Sequence, residues 1–262
     1  MKPGVLLSAR HVGKAFVSNG APRWACRNIS FDLYPGEVLA VVGESGSGKT
    51  TLLRLLAARL ACDEGAVGYH APSDTLTDLA AMSESQLRQL ARTDWGFVEQ
   101  HARDGLRMNV SGGANVGERL MALGERHYGQ LRSQALDWMA RVELDVERVD
   151  DLPGTYSGGM QQRLQIARNL VTRPRLVFMD EPTTGLDVSV QARLLDLLRQ
   201  LVDELQLAAV VVTHDLAVAR LLAHRMLVMK DGQVVEQGLT DRVLDDPQHP
   251  YTQLLVSSVL TP

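Results

Sequence analysis

The chain has 262 residues, 45% of them hydrophobic and 22% charged, with a formal net charge of −4 and a pI near 6.0. This ordinary globular composition suits one large domain or a core with a smaller lobe, and its charge balance excludes a global field that would draw nucleic acid. Cys26 and Cys62 stand alone, with no metal or disulfide spacing, which fits a reducing compartment.

In chain order, the first apolar run is Val5-Leu6-Leu7, far below the roughly 7–15 residues of a secretory signal core. The longer runs, Val38–Val42 and Leu207–Val212, fall short of the roughly 20 residues of a membrane span. A cytoplasmic chain with no direct membrane insertion is expected. Val5–Val12 and Ile29–Tyr34 predict strands. Val38–Val42, wholly apolar and followed by a glycine-rich loop, predicts a buried parallel strand before a helix from Lys49 to about Leu60.

Ser83-Glu84-Ser85-Gln86 has the form of a capping box before a helix that turns Leu87, Leu90 and Ala91 inward. Helices over Asn115–Leu123 and Leu131–Val142 follow, with Ser111-Gly112-Gly113 read as a turn. Helices near Met160–Val171 and over Val188–Leu205 precede strands at Leu176–Met179 and Ala209–Thr213. Asp231-Gly232 between Met226–Lys230 and Gln233–Glu236 signals a hairpin. Asp245-Asp246-Pro247 then breaks the chain before a helix over Tyr251–Leu260. The alternation predicts an α/β fold. The expected division is a single domain over 1–262: a core of 1–81 and 148–246, a helical lobe over 82–147, and a helical tail over 247–262.

Gly43-Glu44-Ser45-Gly46-Ser47-Gly48-Lys49-Thr50 is a complete P-loop in its confirming context, after a strand and at the start of a helix. The glycines let backbone N–H groups converge on phosphate oxygens, and the helix N-terminus adds partial positive charge. Lys49 would reach the β- and γ-phosphates of ATP, Thr50 would offer its hydroxyl to Mg²⁺, and Thr51 continues the cradle. Leu176–Met179 runs into Asp180 and Glu181. Asp180 supplies the hard oxygen that Mg²⁺ takes, and Glu181 is placed to accept a proton from attacking water. Ser157-Gly158-Gly159 opens a helix shortly before that strand and is followed by Gln161.

Through these motifs the sequence resembles the ATP-binding-cassette ATPases over essentially its whole length. The resemblance implies a P-loop NTPase of that type, with an N-terminal antiparallel β subdomain, an inserted helical lobe and Mg-dependent ATP hydrolysis. It implies that Gln100, after Phe97-Val98-Glu99, is the lid glutamine that reaches the metal and the attacking water. Asp187 in Gly185-Leu186-Asp187 matches the D-loop, and His214 matches the switch histidine at the γ-phosphate. Phe16 matches the aromatic that stacks on adenine, with Trp24 as the alternative. It also implies that Ser157, Gly158, Gly159 and Gln161 face the ATP of a second cassette, the same chain or a related one, in a head-to-tail dimer.

The tail from Asp246-Pro247 through His249-Pro250-Tyr251-Thr252 resembles the oligopeptide, dipeptide and nickel importer branch. Thr93–His101, Gly117–Met121, Arg126–Gly129, Gln161–Leu170 and Gly238–Pro247 resemble the cassette subunit of the bacterial carbon–phosphorus lyase system, which breaks down phosphonates. That second resemblance implies docking on soluble lyase core subunits, without nucleic acid. The chain lacks the cysteine cluster of an iron–sulfur centre, so it is not the lyase itself. Arg103, Arg107, Arg119, Arg126 and His127 on the helical lobe form the expected docking surface.

Overall fold

A computed structural model describes residues 4–18, 20–71 and 76–260. The outer limits of the expected domain, 1 and 262, lie outside the described residues. Strands β1 (Leu7–Ser18) and β2 (Ala21–Leu33) pair antiparallel. Both run longer than the alternation of their residues predicts, because register shifts between Ala9 and Ala15 break the period of two that marks a strand in sequence. The all-buried β3 (Val38–Val42) leads into α1 (Lys49–Leu56). That helix ends before Leu60, since Ala58 turns left-handed at φ 52°.

Next come β4 (Glu64–His70), β5 (Leu76–Asp78), α2 (Glu84–Thr93) and β6 (Trp95–Val98). The capping box before α2 is reciprocal, with Ser83 N–H donating to Gln86 Oε1 at 2.8 Å and Gln86 N–H to Ser83 Oγ at 3.3 Å. Helices α3 (Ala102–Gly105), α4 (Gly112–Ala122), α5 (Tyr128–Arg141) and α6 (Gly158–Leu170) precede β7 (Leu176–Asp180). The chain then runs through α7 (Val188–Leu205), β8 (Ala208–Thr213) and α8 (Leu216–Leu222). It closes with β9 (Arg225–Lys230), β10 (Gln233–Leu239), α9 (Thr240–Asp245) and α10 (Pro250–Leu260). Asp231 and Gly232 both take positive φ, 47° and 79°, the two-residue turn expected between β9 and β10.

The chain divides into two compact units. One holds the residues up to Leu87 and those from Gln206 onward; the other is Arg88–Leu205. In the first, an antiparallel sheet runs β2-β1-β4-β5, and a second group runs β10-β9-β3-β8, with β3 parallel to both β8 and β9. Arg225 donates to Glu37 Oε1 at 2.8 Å and to the Asp32 carbonyl at 3.1 Å, tying the end of β2 to β9.

In the second unit β6 and β7 pair parallel, and the buried face of α6 holds β6 through its side chains. Phe97 N–H donates to Asn169 Oδ1 at 2.9 Å, and Glu99 N–H donates to Gln165 Oε1. Trp95 meets Phe178 edge to face, with ring centroids 5.6 Å apart.

The structure departs from the expected Ser-Gly-Gly turn and from the expected docking surface. Ser111-Gly112-Gly113 is not a free turn: Ser111 Oγ accepts the Ala114 N–H at 3.3 Å and caps α4. A serine before glycines suits either role, and only the helix behind it decides. Arg119 is not a docking residue. Its guanidinium turns inward and donates to the carbonyls of Trp95 at 2.6 Å, Ala91 at 3.2 Å and Arg92 at 3.4 Å. Burial pushes its pKa down to about 10.

The rest of the expected surface, Arg103, Arg107, Arg126 and His127, is exposed. Arg107 pairs with Glu118 at 2.9 Å, Arg126 donates to the Met121 and Glu125 carbonyls, and His127 caps α5. Arg119→Ala removes the part-buried bond to Trp95 and two exposed ones, so it should lower the unfolding free energy by about 1–3 kcal/mol. The expected observation is a lower urea midpoint with an unchanged m-value.

Candidate nucleotide site

The loop from Gly43 to Gly48 exists because three of its residues carry no Cβ and take positive φ: Gly43 at 148°, Gly46 at 83° and Gly48 at 100°. A Cβ on Gly43 would lie 2.2 Å from the Met229 carbonyl oxygen, and one on Gly48 only 2.0 Å from that of Ala25. Glu44, Ser45 and Gly46 form the exposed crown of the loop, while Ser47 and Lys49 are buried. Lys49 Nζ donates to the carbonyls of Gly43 at 2.9 Å and Glu44 at 2.8 Å, inside the loop. Ser47 Oγ is buried with no hydrogen-bond partner, and Thr50 and Thr51 are half-buried in the first turn of α1. A cradle of this shape, with an ammonium in it and an orphaned hydroxyl beside it, fits a phosphate chain.

Register brings a second predicted residue to the same edge. Val42 pairs with Thr213 across the parallel β3–β8 ladder, so Gly43 and His214 leave the sheet side by side. His214 is exposed, and Asp215 caps α8 behind it by accepting the Ala217 N–H at 2.8 Å. Phe16 and Trp24 both line a cleft of about 370 Å³ that also contains Gly46 and Gly232. Phe16 is 46% exposed. The Trp24 ring packs against Gly13 and is covered by the Arg27 guanidinium, 4.8 Å from its centroid.

In the second unit, Val98 pairs with Met179, so Gln100 and the Asp180-Glu181 pair likewise emerge from one edge. Asp180 is buried at the end of β7. Glu181 has φ 44°, a left-handed backbone that a non-glycine residue holds at a cost of about 1–3 kcal/mol and that gathers at functional sites. Thr184 Oγ1 donates to Glu181 Oε2 at 2.6 Å.

Ser157 caps α6 through the Met160 N–H at 3.3 Å and is exposed together with Gly158. Gly159 is buried under Val190, whose Cγ1 would lie 2.5 Å from an added Cβ. Gln161 is turned inward: its Nε2 donates to the carbonyls of Pro153 at 2.8 Å and Tyr156 at 3.1 Å, which gives it a role in holding the loop before the helix. Asp187 caps α7, accepting from Val190 N–H at 3.0 Å and Ser189 Oγ at 2.8 Å, and these bonds hold its carboxyl below the usual range. Sequence reasoning missed Thr184, and it missed Gln165 as the residue that grips the backbone beside Gln100.

Residues 26–184 match the ABC transporter family. The chain belongs to the ATP-binding-cassette family. It is 68% identical over 240 residues to PhnK of Escherichia coli (strain K12), a protein named for phosphonates utilization and ATP binding, covering 92% of this chain and 93% of that one. It is 39% identical over 234 residues to the dipeptide transport ATP-binding protein DppF of Escherichia coli, covering 89% of this chain and 68% of that one.

Among solved structures, the dimeric ATP-binding cassette MJ0796, in a post-hydrolysis state bound to ADP and Pi, superimposes with a TM-score of 0.80 at 29% identity. That match covers 90% of this chain and 99% of the MJ0796 chain. The chain accordingly has the fold of a cassette ATPase, with an antiparallel β subdomain and an inserted helical lobe. Among the described residues, no helix is long and apolar enough to cross a membrane.

Gly48→Ala tests the cradle directly. A methyl group there would displace the loop from Ala25 or force a strained φ, so nucleotide binding should fall by at least tenfold while β-sheet content by circular dichroism stays unchanged.

Proposed function

We propose that the chain binds ATP with Mg²⁺ and hydrolyses it in a head-to-tail sandwich with a second cassette, and that it drives the carbon–phosphorus lyase core that breaks down phosphonates. The identity of 68% over nearly the whole length of PhnK carries this reading. It extends through the helical insertion, the part of a cassette that faces its partner.

In this reading, Gly43–Thr51 bind the phosphates through backbone N–H groups, Lys49 and the α1 N-terminus. Phe16, whose ring is open to solvent, stacks on adenine. Bound Mg²⁺ would offset phosphate charge, with the Thr50 hydroxyl and the Asp180 carboxylate as its hard-oxygen partners and Gln100 at its edge. Glu181 takes the proton of the attacking water as its oxygen attacks the γ-phosphorus and ADP leaves. His214 steadies the γ-phosphate. Ser157 and Gly158, exposed at the start of α6, present N–H donors to the nucleotide of the facing cassette, and Asp187 borders that junction. The dimeric, ADP- and phosphate-bound state of MJ0796 supports the sandwich.

Docking is assigned to the exposed apolar groove of the helical unit, where Met121, Tyr128 and Leu131 lie beside the paired Arg132 and Asp150. The identity of 39% with DppF supports a second reading, an importer subunit.

Glu181→Gln should retain ATP but block proton transfer, so Mg-ATP should double its mass in light scattering. A strict monomer at high concentration would count against a homodimer. Met121→Asp with Tyr128→Asp should keep nucleotide affinity yet no longer co-purify with the soluble lyase core, and cells carrying it should fail to grow on a phosphonate as sole phosphorus source. Normal phosphonate growth after deletion of the whole gene, with peptide uptake lost, would replace the lyase reading with the importer one.

A further inference from the structure

The C-terminal helix touches the phosphate loop. Tyr251, in the first turn of α10, accepts the Glu44 backbone N–H on its hydroxyl at 3.1 Å, across 207 residues of sequence. The hydroxyl is held from several directions. Tyr251 is buried in one core cluster with Ala40 and Val42 of β3, the strand that feeds the loop, and with Val228 of β9. Lys230 Nζ lies 4.9 Å from the ring centroid. His249 Nδ1 accepts the Tyr251 N–H at 3.1 Å, and Glu236 on β10 accepts the N–H groups of Gln248 at 2.9 Å and His249 at 3.0 Å.

The same β9–β10 hairpin grips the loop from its other end, since Gly232 N–H at the turn donates to the Ser47 carbonyl at 3.1 Å. Glu44 is thus fixed on both sides of its α-carbon: Lys49 takes its carbonyl at 2.8 Å and Tyr251 takes its N–H. A backbone N–H in a phosphate loop either serves the ligand or sets the orientation of its neighbours. Bound to Tyr251, that of Glu44 does the second.

We infer that Tyr251 is a positioning residue for nucleotide binding: its hydroxyl presets the first turn of the phosphate loop, which makes the C-terminal helix part of the nucleotide site. The inference rests on the reading that Gly43–Thr51 bind ATP. It assigns Tyr251 no contact with nucleotide.

Tyr251→Phe separates this role from packing, because the ring and its contact with Lys230 remain and only the hydroxyl is lost. In the nucleotide-free protein, hydrogen exchange across residues 43–49 should quicken by about two- to tenfold, the range for one net hydrogen bond, while the amides of α6 exchange as before. The ATP dissociation constant should rise by a similar factor, and the kinetic loss should fall on KM more than on kcat. Unchanged exchange over 43–49 with wild-type ATP affinity in Tyr251→Phe would overturn the inference. Lys49→Ala serves as the reference: if it binds ATP like the wild type, the phosphate-loop reading itself fails, and the exchange measurement still reports whether Tyr251 holds the loop.

Discussion

Two carbonyl groups, those of Ala25 and Met229, press against the phosphate loop so closely that neither Gly48 nor Gly43 has room for a Cβ. Much of the first unit follows from this contact. Ala25 belongs to β2 and Met229 to β9, so the antiparallel ribbon and the C-terminal hairpin are both walls of one cradle. Bonds from Gly232 to Ser47 and from Arg27 N–H to the Gly232 carbonyl at 2.8 Å keep the walls in place. The aromatic cleft of Phe16 sits on the same walls, so a base and a phosphate chain would be registered by one set of backbone contacts.

The second unit is organised by α6. Its N-terminus carries the exposed Ser157-Gly158 pair, and its buried face carries Gln165 and Asn169, which bind the backbone of β6 on either side of Val98. Glu99, the residue that precedes Gln100, is therefore fastened to α6. Arg168 on the same helix reaches the Asn115 carbonyl at 2.9 Å and Glu118 at 2.7 Å, extending the linkage into α4. Of the residues that sequence assigns to an external partner, Arg107 pairs with the same Glu118, and Arg119 reaches the Trp95 carbonyl.

The two Ser-Gly-Gly segments show how far local sequence carries. Ser111 and Ser157 have nearly the same cap dihedrals, φ −63° with ψ 163° and 164°, and both accept the N–H three residues on. Burial separates them. An added Cβ on Gly112 would meet Tyr156 Oη at 2.6 Å, whereas Gly158 is exposed. One helix start is closed by a neighbour from the same unit, and the other is open to a ligand or a second chain. No pattern within the segments carries that difference.

Sequence alone determined the phosphate loop, the strand ending in Asp180-Glu181, the hairpin at Asp231-Gly232 and the helix over Val188–Leu205, because each rests on neighbours a few residues apart: glycine conformations, apolar periodicity and turn chemistry. Tertiary structure decided the rest. The bulges of β1 and β2 hide their true length. The inward turn of Arg119 depends on carbonyls about 25 residues away, and the inward turn of Gln161 depends on a loop that precedes its own helix. The hold of Tyr251 on Glu44 spans 207 residues, and a hydrogen bond between residues so distant leaves no periodic or compositional trace, since either residue would look the same without the other.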